Sequence, residues 1–135
     1  MMASAQPFQP NAPASAHTIS SLIAGLPKPL PDVYTAFLRR TNGGEGFIGD
    51  RYVRLWRAEE LIGLNGGYKV AQFFPEMFFI GTDGGGEAYA FKVSGTDSAV
   101  FEVPFIGLPS DATLIADSFE SFVSGARLGP NLVSE

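Results

Sequence analysis

Ile19, Leu22, Ile23 and Leu26 recur at three- and four-residue steps, so Ser15 to Leu26 reads as a short amphipathic helix. The prolines of Leu26-Pro27-Lys28-Pro29-Leu30-Pro31 disfavour helix in the residues before them and predict an extended connector. Pro31 suits the first position of a second helix. Val33 with Phe37, and Tyr34 with Leu38, give that helix one apolar side. Arg39-Arg40 falls in its last turn, where cations suit the helix dipole. Asn42-Gly43-Gly44 then reads as a left-handed helix end.

From residue 52 the period shortens. Tyr52 to Trp56 alternates weakly and reads as a strand. Arg57 to Leu64 predicts a short helix stopped by Asn65-Gly66-Gly67, and Tyr68 to Phe74 a further helical turn ended by Pro75. Met77-Phe78-Phe79-Ile80-Gly81 is a continuous apolar run, as in a buried strand. Glu87 to Val93 and Ser98 to Val103 read as two more strands. These form a meander, which favours antiparallel pairing. Asp117-Ser118-Phe119-Glu120 has the form of a capping box ahead of a closing helix carrying Phe119, Phe122 and Val123. Helices at both ends around a meander predict an α+β fold. One domain is expected over residues 15–128. Residues 1–14, rich in Pro, Ala, Ser and Gln, are expected to be a flexible tail, and residues 129–135 a frayed one.

Composition narrows the chemistry. The 135 residues suit one core, and twelve Phe can fill it. There is no cysteine, which excludes disulfides, thiolate metal sites and cysteine nucleophiles and fits a cytoplasmic protein. The one histidine, His17, sits among small polar residues, so a histidine zinc site or a Ser-His-Asp triad is hard to build. Net charge is −5, and the arginines are scattered; nucleic-acid binding is not expected, and the acidic balance reads first as solubility and second as attraction to a basic protein partner. No apolar run nears the roughly 20 residues that span a bilayer, and the N-terminus lacks the form of a secretory signal.

Gly81-Thr82-Asp83-Gly84-Gly85-Gly86 invites a phosphate-loop reading. A phosphate cradle needs amides aimed at the anion and usually a helix after them; here a strand follows, and no Lys-Ser or Lys-Thr closes the motif. A tight turn fits better, with glycine supplying positive φ, expected at Gly85, and Asp83 bonding its own backbone. Asp83 and Glu87 offer too few oxygens for calcium, and no metal or cofactor is expected. Glu59-Glu60, Asp83 with Glu87, and Glu102 are the carboxylates available for acid–base work. None has a histidine nearby, and no catalytic residue is assigned. Trp56 is either core or a surface anchor. In each of the pairs Phe73-Phe74 and Phe78-Phe79, one ring is expected in the core and the other elsewhere.

In order and spacing these pieces resemble the SUKH superfamily of fungal cell-wall assembly regulators and bacterial immunity proteins. The matching stretches are Leu30-Pro31-Asp32-Val33-Tyr34, Asn42-Gly43-Gly44, Leu55-Trp56, Glu59-Glu60-Leu61, Phe79 to Gly86, and Ile115 to Phe122. The resemblance spans about residues 19–125. It implies a mixed sheet flanked by helices and a protein-binding role. Bacterial members typically bind and neutralise toxins, often nucleases. The resemblance carries no catalytic residue, and it makes Asn42, Gly43, Gly84 and Gly85 structural turn positions. The expected partner-binding surface comprises Trp56, Asp83, Glu87 and Glu102, facing a toxin domain with a basic surface. The rival expectation is a small-ligand or enzymatic groove near Asp83, Glu87 and Trp56.

Overall fold

A computed structural model describes residues 6–93 and 97–124. Seven strands form one antiparallel sheet in chain order: β1 (Gln9–Pro10), β2 (Gly44–Ile48), β3 (Arg51–Leu55), β4 (Met77–Thr82), β5 (Glu87–Lys92), β6 (Val100–Pro104) and β7 (Thr113–Ala116). Around it lie α1 (Ala16–Gly25), α2 (Asp32–Arg40), α3 (Ala58–Gly67), α4 (Val70–Phe73) and α5 (Phe119–Ser124). The α+β expectation holds.

The sheet curls. β3 meets β4 only where Arg54 and Leu55 face Thr82 and Gly81. The far end of the β2–β3 hairpin then folds across the sheet, so Arg51 of β3 reaches Glu102 of β6 at 2.7 Å. The Tyr89 hydroxyl likewise donates to the Tyr52 carbonyl at 2.9 Å.

Alternation along the strands sorts the aromatic core into two groups. Tyr89 and Phe91 of β5 meet Phe122 and Phe119 of α5, and Tyr34 of α2 packs edge-on against Phe91 and Phe119. Phe79 of β4, opposite Ala90, instead meets Phe74 and Phe105. Phe73 is exposed and Phe74 buried, as expected of that pair. Phe78 and Phe79 are both buried, because β4 is covered on both faces.

The N-terminal stretch departs from the flexible-tail expectation. Residues 6–14 are anchored to the domain: Phe8 is buried, Gln9 and Pro10 pair with Glu45 and Gly44, and the Ala14 amide donates to the Leu38 carbonyl at 3.0 Å. One large apolar residue in a Pro-rich stretch leaves no periodicity to read, yet Phe8 packs on the glycine side of β2, where a Cβ on Gly44 would collide with its ring. Residues 129–135 lie outside the described residues.

Three helix ends also differ from the sequence reading. α2 stops at an extended Thr41, whose amide donates to the Phe37 carbonyl at 2.7 Å; Asn42 does not cap it. α3 runs through Asn65-Gly66-Gly67, because the Asn65 side chain is drawn away to β4. Ser118, not Asp117, caps α5, its hydroxyl accepting from the Ser121 amide at 3.0 Å. Strands β2 and β7 were not expected; β2 is rich in glycine, which is disfavoured in strands, and pairing with β3 forms it nonetheless.

Candidate functional site

The site begins where α2 hands over to β2. The Asn42 carboxamide accepts from the Ala58 amide at 2.7 Å and donates to Glu59 at 2.8 Å, so it closes the start of α3 instead of the end of α2. Gly43 sits at φ +78°, and a Cβ there would collide with the Leu55 carbonyl oxygen. These contacts hold Leu55-Trp56-Arg57 against the start of β2. Asn42 and Gly43 thus form a junction between elements.

Trp56 is buried and opens a series of aromatic contacts. Its ring lies parallel to Tyr68, with centroids 6.1 Å apart. Tyr68 packs on Phe105 at 4.7 Å, and Phe105 meets Phe79 edge-on at 5.8 Å. Tyr68 itself is 48% exposed, and Ile106, next to Phe105, is 97% exposed. The chain turns at Lys69, which has φ 55°. That left-handed conformation is costly for a residue with a Cβ. Trp56 is therefore a support behind the surface, and Tyr68 is the ring that reaches solvent.

The glycine turn forms the other side. Asp83 Oδ1 accepts from the Gly85 amide at 2.7 Å and the Glu87 amide at 3.2 Å, as an Asx turn does. Thr82 donates its hydroxyl to the Glu87 carbonyl at 2.8 Å. The positive φ belongs to Gly84 (+83°), not to Gly85, where a Cβ would touch only the Asp83 carboxylate. The Phe105 amide donates to the Gly86 carbonyl at 2.9 Å and ties the turn to the end of β6.

Two adjoining grooves result. One, of about 400 Å³, runs past Trp56, Arg57 and Glu60; the other, of about 640 Å³, runs past the glycine turn, Glu87 and Ile106. They share Arg54, Tyr68 and Thr82. Trp56 and Glu87 are thus brought into one neighbourhood, with Tyr68 and Arg54 between them.

The charges there are unevenly paired. Arg54 lies 3.1 Å from Glu45, which also accepts from the Tyr52 hydroxyl; these bonds, Arg54's foremost, hold the Glu45 carboxyl below the usual carboxylate range. Glu102 is engaged by Arg51. Glu87 has no ion-pair partner among the described residues. Partial burial, then the carboxylates of Glu102, Asp83 and Asp111, push its pKa up. Burial also pushes the Tyr89 phenol up to about 12. Among the described residues no three His, Cys, Asp or Glu side chains gather as a metal site would need.

With this geometry in view, comparison with known families is decisive: the SMI1 / KNR4 family (SUKH-1) matches residues 13–125. The chain belongs to the SMI1 / KNR4 family. The match runs from just before α1 to the end of α5 and takes in both grooves apart from Asn11. No curated protein matches the chain. Among the described residues of this SUKH-1 domain, no helix is long and apolar enough to cross a membrane.

Sequence reasoning missed Tyr68, Phe105, Ile106 and Arg54. The available signal was Phe105-Ile106-Gly107-Leu108-Pro109, apolar residues inside a Gly/Pro loop, where no periodicity accounts for them. Tyr68 carried no signal, since its exposure depends on the turn at Lys69.

Proposed function

We propose that this SUKH-1 domain is a non-catalytic, cytoplasmic protein-binding domain that neutralises a toxin domain with a basic surface by direct binding. Family membership supports protein binding, and the resemblance to bacterial immunity proteins supports the toxin as partner. The observation that carries the reading is Glu87, which has no ion-pair partner among the described residues and lies beside the Asp83 turn, while Glu102 on the same sheet face is paired with Arg51. Glu87 opposes Pro104 and Tyr89 opposes Glu102 across the β5–β6 pair, with the Asp83 turn at the end of β5. An uncompensated carboxylate at Glu87 favours a basic partner over a phosphate backbone.

The test is to mix the protein with the product of the adjacent gene and follow that product's toxic activity. Stoichiometric loss of activity on complex formation is expected. A toxin that stays fully active in excess of this protein removes the immunity reading.

A further inference from the structure

Tyr68, Phe105 and Ile106 form an exposed to half-buried apolar strip on a fixed frame. Trp56 and Phe105 back the Tyr68 ring. The loop after β6 is held by the Phe105 amide on Gly86 and by the Leu108 amide donating to Asp111 at 2.8 Å. The loop backbone is therefore already placed, and little loop ordering remains to oppose binding there. An isoleucine left 97% exposed on such a loop gains nothing for the fold.

The charges beside the strip select the occupant. Glu45 and Glu102 already hold arginines, whereas Glu87 holds none and lines the same groove as Ile106. Asp83 and Asp111 add to the negative field at Glu87. Nucleic acid would bring phosphates to these carboxylates. A cation carried between apolar side chains satisfies both the strip and Glu87.

We propose that the Tyr68–Phe105–Ile106 strip, with Glu87 at its edge, is the docking surface for a partner protein that presents an arginine or lysine flanked by apolar residues. This deepens the protein-binding reading above and rests on it for the identity of the partner. Ile106 and Tyr68 supply the contact area, and Glu87 pairs with the cation. Trp56 acts from behind as a positioning residue.

Two measurements test the surface. In the first, the peptide acetyl-Leu-Arg-Leu-amide is titrated into the full chain and backbone amide resonances are followed by NMR. Shifts are expected at Tyr68, Glu87, Phe105 and Ile106, and are expected to vanish in Ile106→Ser and Glu87→Gln, neither of which lowers the melting temperature. Acetyl-Leu-Glu-Leu-amide is expected to give none. Shifts centred on Ile62 in the separate apolar groove between α1, α3 and α4, equal shifts with the acidic peptide, or no shifts at all overturn the surface. In the second, the product of the gene adjacent to this chain's own is the probe. Ile106→Asp is expected to weaken its binding about tenfold or more, as loss of a hot spot does, and Ile62→Asp to leave it unchanged. The reverse pattern overturns the surface while leaving toxin binding intact. If the toxin does not bind the parent protein but the arginine peptide maps to the strip, the immunity reading fails and the surface stands.

Discussion

The side-chain amide of Asn65 lies against the backbone of Phe79 as a neighbouring strand would. Its oxygen accepts from the Phe79 amide at 2.8 Å, and its nitrogen donates to the Phe79 carbonyl at 2.8 Å. β3 has already left β4 at this point, so Asn65 satisfies an edge that would otherwise be buried and unpaired. The same nitrogen donates to Leu61 within α3 at 2.8 Å, which fixes the helix to the sheet. Asn65→Leu is expected to cost about 2 kcal/mol or more, because two buried backbone groups lose their partners. Chemical denaturation measures it; an unchanged midpoint shows that water replaces the side chain.

The packed N-terminal segment makes a second prediction. Phe8 fills a core position against β2, with the Asn11 amide donating to Gly43 at 2.9 Å just beyond it. Phe8→Ala is expected to cost roughly 3 kcal/mol, the usual scale for emptying a buried aromatic site. A thermal melt reads the loss. A dispensable tail predicts no loss at all, so the two descriptions separate cleanly.

The glycine turn is tested by a pair of variants. Gly84 sits at positive φ beside the Tyr52 ring, and Gly85 does not. Gly84→Val is expected to destabilise by about 1–2 kcal/mol, the scale of the left-handed penalty for a residue with a Cβ. Gly85→Val, with only the Asp83 carboxylate near its Cβ, is expected to stay within about 0.5 kcal/mol of the parent. Paired melts decide this, and equal losses in both would place the strain elsewhere in the turn.

Two carboxylates give opposite pH signatures. The hydrogen bond from Asn42, more than any other cause, lowers the Glu59 pKa. Its stabilising effect is therefore present above the ordinary carboxylate range and lost as pH falls through the folded value. Asn42→Ala is expected to cost about 1 kcal/mol at neutral pH through the lost helix cap, and less in acid. Glu87 behaves in reverse. Its raised pKa favours the protonated form in the fold, so its contribution is full in acid and is lost as pH rises through the folded value. Glu87→Gln is expected to raise the melting temperature at neutral pH and to converge with the parent in acid. Melts from pH 3 to 8 check both; a Glu87→Gln advantage that grows in acid reverses the assigned sign.

The sequence by itself determined the elements with strong local signals and the order in which they occur. The apolar run at Met77 to Gly81 and the i, i+4 pairs of α2 each require one conformation to bury their side chains, and they are found as strand and helix. The Asp83 turn was legible because its hydrogen bonds are made within five residues. Tertiary structure decided the polar residues whose partners are distant. Asn42 and Asn65 both look like helix ends in sequence, since asparagine beside glycine suits a left-handed cap. Each instead spends its carboxamide on another element, Asn42 on α3 and Asn65 on β4. The candidate surface follows the same rule. The carboxylates Asp83, Glu87 and Glu102 could be named from residue type, but Tyr68 and Ile106 could not. Their exposure depends on the turn at Lys69 and the loop after β6, and hydrophobic patterning reports only residues that a regular element buries.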